Sequence, residues 1–303
     1  MKLLFSIIFV FCTYIAFSQD DLMDVLNKEL PKQTTYATAT FKSTRVINGQ
    51  SIETVAKNHL DFRISHRFGT INSGYKELWG LDQSRIRLGL EYGITDNLMV
   101  GVGRSSYQKT YDYFMKWKVV KQSSGARKMP ISVAVFFSDA TNTMDTSTDL
   151  PFYNNLERQS YTTQILIARK FNDRLSLQLS PTIIHNNKTE SFLDQNTIYA
   201  LGAGGRIKLN KRTSFNIEYF YVPTSIMQGK TQLDPLKTNN LSVGFDIETG
   251  GHVFQLHVSN SRGMIEKQFI TATADSWANG GIYYGFNISR IFSFDKKEKA
   301  KKH

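Results

Sequence analysis

Apolar and ionised residues alternate along this chain in short stretches that recur almost to its end. Leu60-Asp61-Phe62-Arg63-Ile64-Ser65, Ile86-Arg87-Leu88-Gly89-Leu90-Glu91-Tyr92 and Phe215-Asn216-Ile217-Glu218-Tyr219 are three of them. Successive side chains of an extended strand point to opposite faces, so each stretch has one apolar and one polar face. This period predicts about twelve strands, at 59–68, 84–94, 98–107, 110–121, 131–138, 158–171, 174–185, 197–209, 213–222, 240–248, 252–259 and 280–292. The connections alternate between long polar segments (69–83, 139–157, 186–196, 223–239, 260–279) and mostly tight turns such as Thr95-Asp96-Asn97, Asn172-Asp173, Asn210-Lys211-Arg212 and Thr249-Gly250-Gly251. Only the 108–109 connection breaks the alternation. Long loops at one end and short turns at the other are the mark of a barrel inserted from the periplasm. The predicted fold class is therefore all-β, a transmembrane antiparallel β-barrel in the cell outer membrane, its long loops outside the cell.

The outward face supports this reading. Leu60, Phe62, Ile64 and Phe68 share one face of the first strand, and Tyr111, Tyr113, Met115, Trp117 and Val119 one face of the fourth. Tyr219, Tyr221, Tyr284, Phe286 and Phe292 supply aromatics near strand ends, where girdles form at the membrane interfaces. Arg104, Arg169 and Arg290 interrupt the outward pattern, each near a strand end where a long side chain reaches the headgroups. The last strand, with Tyr284, Phe286, Ile288 and Phe292 on one face, resembles the C-terminal signal read by the barrel-assembly machinery. Outer-membrane lipid and that machinery are the expected partners.

Composition refines the boundaries. Lys2 followed by the apolar run Leu3 to Phe17 has the form of a secretory signal peptide, residues 1–18, with Gln19 as the mature N-terminus. Cys12, the single cysteine, lies within it, so disulfides, thiolate metal sites and cysteine nucleophiles are excluded from the mature chain. The net charge of +11 includes a basic tail at 295–303, which reads as a periplasmic extension and not as a nucleic-acid surface. Residues 19–58 precede the barrel at 59–294. Asp20 to Leu30 could form a short amphipathic helix, and Thr38 to Ile47 a thirteenth strand or a plug. An odd strand count is disfavoured, which leans the segment inside or just below the barrel.

The inward register collects Arg63, Arg67, Arg85, Arg87, Lys116, Lys118, Arg206 and Lys208, with Asp61, Glu91, Asp112, Glu218, Asp246 and Glu248. The basic groups concentrate on strands one, two and four, while Glu218, Asp246 and Glu248 lie on strands nine and ten. Opposed charged walls across a water-filled constriction would set solute preference in a pore. The same groups could instead pair and close the lumen, since charges in a dry interior must find partners. Inward glycines, among them Gly89, Gly93, Gly101, Gly103, Gly202 and Gly204, leave room for water, a ligand or a threaded segment, or serve barrel curvature. The leading expectation is a porin-like passive channel for small polar solutes. The alternative is a closed or plugged barrel that acts as a structural or docking partner for a periplasmic protein, with a lipid-binding protein as one such partner. Catalysis finds little support: His59 and Asp61 share the lumen face at i, i+2, yet no serine completes them. No histidine pair has metal-ligand spacing, and Gly202-Ala203-Gly204-Gly205 lies within a strand, so it forms no phosphate loop. No enzyme activity, cofactor or metal is expected.

Several segments carry a family resemblance: Phe41-Lys42-Ser43-Thr44-Arg45-Val46-Ile47-Asn48, His66-Arg67-Phe68-Gly69, Gly80-Leu81-Asp82, Leu90-Glu91-Tyr92-Gly93-Ile94-Thr95-Asp96, Gly101-Val102-Gly103-Arg104-Ser105-Ser106 and Ala168-Arg169-Lys170-Phe171. Together they resemble an uncharacterised family of outer-membrane β-barrels from Bacteroidota, over roughly residues 35 to 292. The resemblance implies a barrel and an outer-membrane address, with no activity and no functional residues to carry over. Family members encoded beside lipocalin-like periplasmic proteins would further imply a lipid-linked or isoprenoid-linked role.

Overall fold

The computed structural model describes residues 33–146, 152–189, 194–223 and 238–295. The predicted signal peptide, the predicted helix at 20–30 and nearly all of the basic tail lie outside these residues.

Twelve antiparallel strands close into one barrel: β1 (His59–Thr70), β2 (Ser84–Gly93), β3 (Leu98–Ser105), β4 (Thr110–Val120), β5 (Ser132–Asn142), β6 (Gln159–Lys170), β7 (Leu175–Asn186), β8 (Thr197–Lys208), β9 (Thr213–Tyr221), β10 (Asn240–Thr249), β11 (His252–Ser259) and β12 (Tyr283–Ser293). Each strand pairs with its sequence neighbours, and β12 closes on β1 through a run from Gly285↔Arg67 to Ser293↔His59. Closure leaves no exposed strand edge, which the hydrocarbon region of a membrane requires.

Each predicted strand is present, and the shifted ends have local causes. β12 starts at Tyr283, later than expected, because Trp277–Asn279 form a 3-10 turn that ends on Gly280 in the left-handed region at φ 74°. β3 stops at Ser105 because the next four residues turn back into β4. Outside the barrel, Thr35–Tyr36 pairs with Ser123–Ser124 of the β4–β5 connection in a small two-stranded sheet. The sequence period gave no sign of this pair, since two residues are too few to show one.

The outer wall carries the expected apolar band, with Leu88, Leu90, Trp117, Phe137, Leu179, Leu201 and Leu256 among its exposed side chains. The three outward arginines lie over aromatic rings at strand ends, Arg104 on Tyr111, Arg169 on Phe171 and Arg290 on Phe292, with guanidinium carbons 4.9 to 5.3 Å from the ring centroids. Register shifts interrupt the β12–β1 seam between Tyr283 and Gly285 and the β4–β5 seam between Lys118 and Val120, both near strand ends, and the β6–β7 seam is interrupted midway. The β6–β7 ladder runs to Gln164↔Thr182 and resumes at Ile167↔Leu179 in the same register, skipping the two positions around Pro181. Proline has no N–H to donate to a ladder.

Candidate functional site

The lumen is filled from both ends. Residues 39–58 enter from the short-turn end, form a finger inside the barrel and return to β1. The finger folds on itself through Val46 N–H to the Gly49 carbonyl (2.8 Å) and Ser51 N–H to the Thr44 carbonyl (2.9 Å). On the way out, the Asn58 N–H donates to the Gly93 carbonyl at 2.9 Å. Gly93 is required there, because a Cβ would lie 2.1 Å from the Ala56 carbonyl oxygen. The segment adds no thirteenth strand to the barrel.

Side chains from nine strands grip this finger. Glu218 on β9 accepts from three consecutive backbone N–H groups, those of Ile47 (3.1 Å), Asn48 (2.8 Å) and Gly49 (3.1 Å). Gln178, Gln255 and Asn287 donate to the carbonyls of Gln50, Val46 and Ile47 at 2.7, 2.6 and 3.1 Å. Lys116 Nζ donates to the carbonyls of Thr44 (2.9 Å) and Ser51 (3.0 Å), and Arg206 to those of Ala39 (2.6 Å) and Thr40 (3.0 Å). Ser242 accepts from the Asn48 amide, Arg63 donates to the Thr44 hydroxyl, and that hydroxyl donates to Glu91. Buried backbone polar groups are costly without partners, so a wall that supplies this many is shaped for the segment it holds. Below the tip, Phe41, Val46, Ile52 and Val55 join Met99, Phe114, Phe136 and Leu166 of the wall in an apolar cluster.

From the other end, the β11–β12 connection folds inward over residues 260–273, and a short helix, α1 (Glu266–Thr271), lies buried in the lumen. Its placement corrects the expectation that this connection is an external polar loop. Phe269 and Ile270 pack with Ile184, Ile198, Phe220 and Val222, the Phe269 and Phe220 rings meeting edge to face at 5.0 Å. The finger and the loop meet at a buried carboxylate: Glu266 Oε1 lies 3.4 Å from Arg45 Nη1 and accepts from the Gln50 amide at 3.3 Å.

The predicted inward charges all occupy the inner wall, but not an open one. Arg63 is paired with Asp61 (2.9 Å) and lies 3.7 Å from Glu91, while Arg87 pairs with Asp112, its Nε donating at 2.9 Å. Arg87 needs Gly103 beside it, where a Cβ would come within 2.2 Å of the guanidinium. Arg67 donates to the Asn48 side chain, and Asp246 accepts from Gln255 at 2.6 Å. The expected field between opposed walls is thus replaced by pairing within one wall, because Asp61, Glu91 and Asp112 sit among the arginines they neutralise. Across the interior, six buried cations (Arg45, Arg63, Arg67, Arg87, Lys116, Arg206) meet six buried acids (Asp61, Glu91, Asp112, Glu218, Asp246, Glu266), an electroneutral set suited to a dry interior. The remaining inward charges lie at the two mouths. Lys118 pairs with Glu53 of the finger (3.4 Å), Glu248 pairs with Lys42, Lys208 ends β8 at the short-turn rim, and Arg85 stands at the long-loop mouth over the Tyr107 ring (4.8 Å).

His59 and Asp61 do not act as a pair: the His59 ring contacts the Lys57 carbonyl at 2.7 Å, and Asp61 engages Arg63. Among the described residues, no three histidine, cysteine or carboxylate side chains cluster as a metal site. The residues that sequence reasoning missed are Arg45, Glu266 and Phe269, together with the inward apolar side chains Met99, Phe114, Phe136, Leu166, Ile184, Ile198 and Phe220. Large apolar groups at lumen positions were the available signal, since a water-filled pore gives them nothing to pack against.

Residues 41–292 match the family model of the membrane-bound beta barrel domain DUF5777, and the chain belongs to that family. No curated protein matches the sequence. Among solved structures, the chain is similar to the KdgM porin (11% identity, TM-score 0.44, covering 77% of this chain and 99% of that one) and to the NanC porin (9%, 0.45, 78% and 99%). It is also similar to outer membrane phospholipase A from Escherichia coli (9%, 0.43, 76% and 89%). The protein is a membrane-bound β-barrel of the outer membrane.

Proposed function

We propose, from its place among membrane-bound barrels, that this protein is closed at rest and serves as a membrane-seated docking partner for a periplasmic protein. The observation that carries this reading is the cradle at Glu218, where one buried carboxylate takes three successive N–H groups of the finger tip. A conducting pore has no use for a carboxylate spent on its own backbone. The short-turn face supports docking, because the exposed Arg127, Lys128, Arg174, Lys211 and Arg212 there stand against few acids, of which Asp173 is already paired with Lys170 at 3.4 Å. Such a rim suits a partner with an acidic surface. The finger begins at that same face, so a partner seated there would adjoin the chain that fills the lumen.

The test is single-channel recording in a planar bilayer, with folding shown by the heat-dependent shift on a denaturing gel. Silence from folded protein, and no swelling of protein-loaded liposomes in small sugars, is the expected result. Steady conductance steps would instead establish the passive channel for small polar solutes and defeat the closed reading.

A further inference from the structure

At the long-loop mouth, outside the filled lumen, a pocket of about 480 Å³ opens between the β3–β4 turn and the inserted loop. Its lining includes Arg85 at the start of β2, Tyr107, Gln108 and Lys109 of the turn, and Arg262 of the inserted loop. Both guanidiniums pack on one ring, with Arg85 Cζ 4.8 Å and Arg262 Cζ 5.2 Å from the centroid of Tyr107. Among the described residues, neither arginine has a carboxylate within salt-bridge distance. Lys109 has only Asp145, at 3.9 Å, and both of those side chains are largely exposed. Three cations therefore share one pocket with a single, solvated acid. Arg262 also lies in the field of Asp275, outside the pocket lining, yet three cations against one solvated acid leave the pocket net positive, and an incoming anion relieves the repulsion among them.

The backbone supports a built site. Gln108 and Lys109 adopt φ of 53° and 44°, two consecutive non-glycine residues in the left-handed region. Such conformations persist where the surroundings enforce them, and they cluster at ligand sites. Here the turn is enforced by Tyr107 N–H to Ser105 Oγ (3.2 Å), Lys109 N–H to the Ser106 carbonyl (3.3 Å) and Thr110 Oγ1 to the Tyr107 carbonyl (3.1 Å). The Tyr107 carbonyl also accepts from Gln268 of α1 at 3.1 Å, so the pocket floor and the inserted loop are joined.

We propose that this pocket binds the oxyanion of an external solute, a carboxylate or a phosphate, through Arg85, Lys109 and Arg262. The planar arginine forks match either group in a two-point contact, with the lysine as a third, less directional charge. Because Arg85 belongs to the wall and Arg262 to the inserted loop, a bound anion bridges the two. The site stands whether the lumen conducts or not.

The test is calorimetric titration of the full folded chain, in a neutral maltoside detergent at low salt, with inorganic phosphate in one arm and D-glucuronate in the other. Saturable binding in at least one arm is expected, at least tenfold weaker in the double variant Arg85→Gln, Arg262→Gln and unchanged in Lys211→Gln on the opposite face. Binding of phosphate alone would point to a phosphorylated solute, and of glucuronate alone to an acidic sugar; either supports the site. The single variant Lys109→Gln, on the exposed turn, gives a second measurement if the double variant loses its heat-dependent gel shift, and a several-fold loss is expected. No saturable binding in either arm, or equal binding by wild type and variants, overturns the proposal.

Discussion

The two segments that fill this barrel are held in opposite ways. The finger borrows its hydrogen bonds: Glu218, Lys116, Arg206, Gln178, Gln255 and Asn287 of the wall satisfy its backbone. The inserted loop brings its own, with the N–H groups of Gln268, Phe269 and Ala272 satisfied inside the α1 turn and the Thr273 hydroxyl bonded to the Phe269 carbonyl. Removing the finger would leave buried donors and acceptors unpaired on both sides, whereas the loop could leave as a preformed piece, losing mainly apolar contact and the contacts of Glu266 and Gln268. If so, the finger is the more firmly held of the two, and the loop the one that substitution at its own residues should loosen.

Glu218→Ala should strike hardest. It strips the acceptor from three buried N–H groups, at about 1–3 kcal/mol each if none finds a substitute. The expected loss is on the order of 4 kcal/mol, read as a lower transition temperature for the heat-dependent gel shift. A change below about 1 kcal/mol would mean that the wall does not hold the finger. Phe269→Ala comes next, at about 3 kcal/mol for a buried aromatic, but its effect should stay local. Brief conductance bursts should appear and protease should cut within 260–273, while 39–58 remains protected. Cleavage of both segments together would erase the distinction between them.

Glu266→Gln, at a polar contact between the two segments, should cost about 1–2 kcal/mol. Combined with Arg45→Met in a double-mutant cycle, it should show coupling above about 0.5 kcal/mol; additive effects would show that the contact transmits nothing. Lys208→Gln on the rim should lie within about 0.5 kcal/mol of wild type, and a larger effect would place Lys208 in the holding network.

The barrel was legible in the sequence because a period of two, repeated over many strands, specifies both element and face. Arg63, Arg87, Lys116, Glu218 and Asp246 could be assigned to the inner wall from that register alone. What covers them was not legible in the same way, since alternation reports which way a side chain points and not what it meets. The pairing of Arg87 with Asp112 and of Arg63 with Asp61 depends on which strands adjoin and in what register. The finger carries no long period, because most of its backbone bonds run to wall side chains and those to backbone are isolated bridges and not a ladder. Met264, Ile265, Phe269 and Ile270 were a readable warning that 260–279 is too apolar for an external loop.

Pro181 gives the barrel a grain. In a wall of continuous staves, load is shared around the hoop, and a fracture starts where neighbouring staves are least stitched. Two successive positions between β6 and β7 lack that stitching, while Pro181 stays in register with Leu201 on its other side. Sideways strain from a thinning or curving bilayer would concentrate on this line, since the other interruptions, in the β12–β1 and β4–β5 seams, lie near strand ends and this one lies midway.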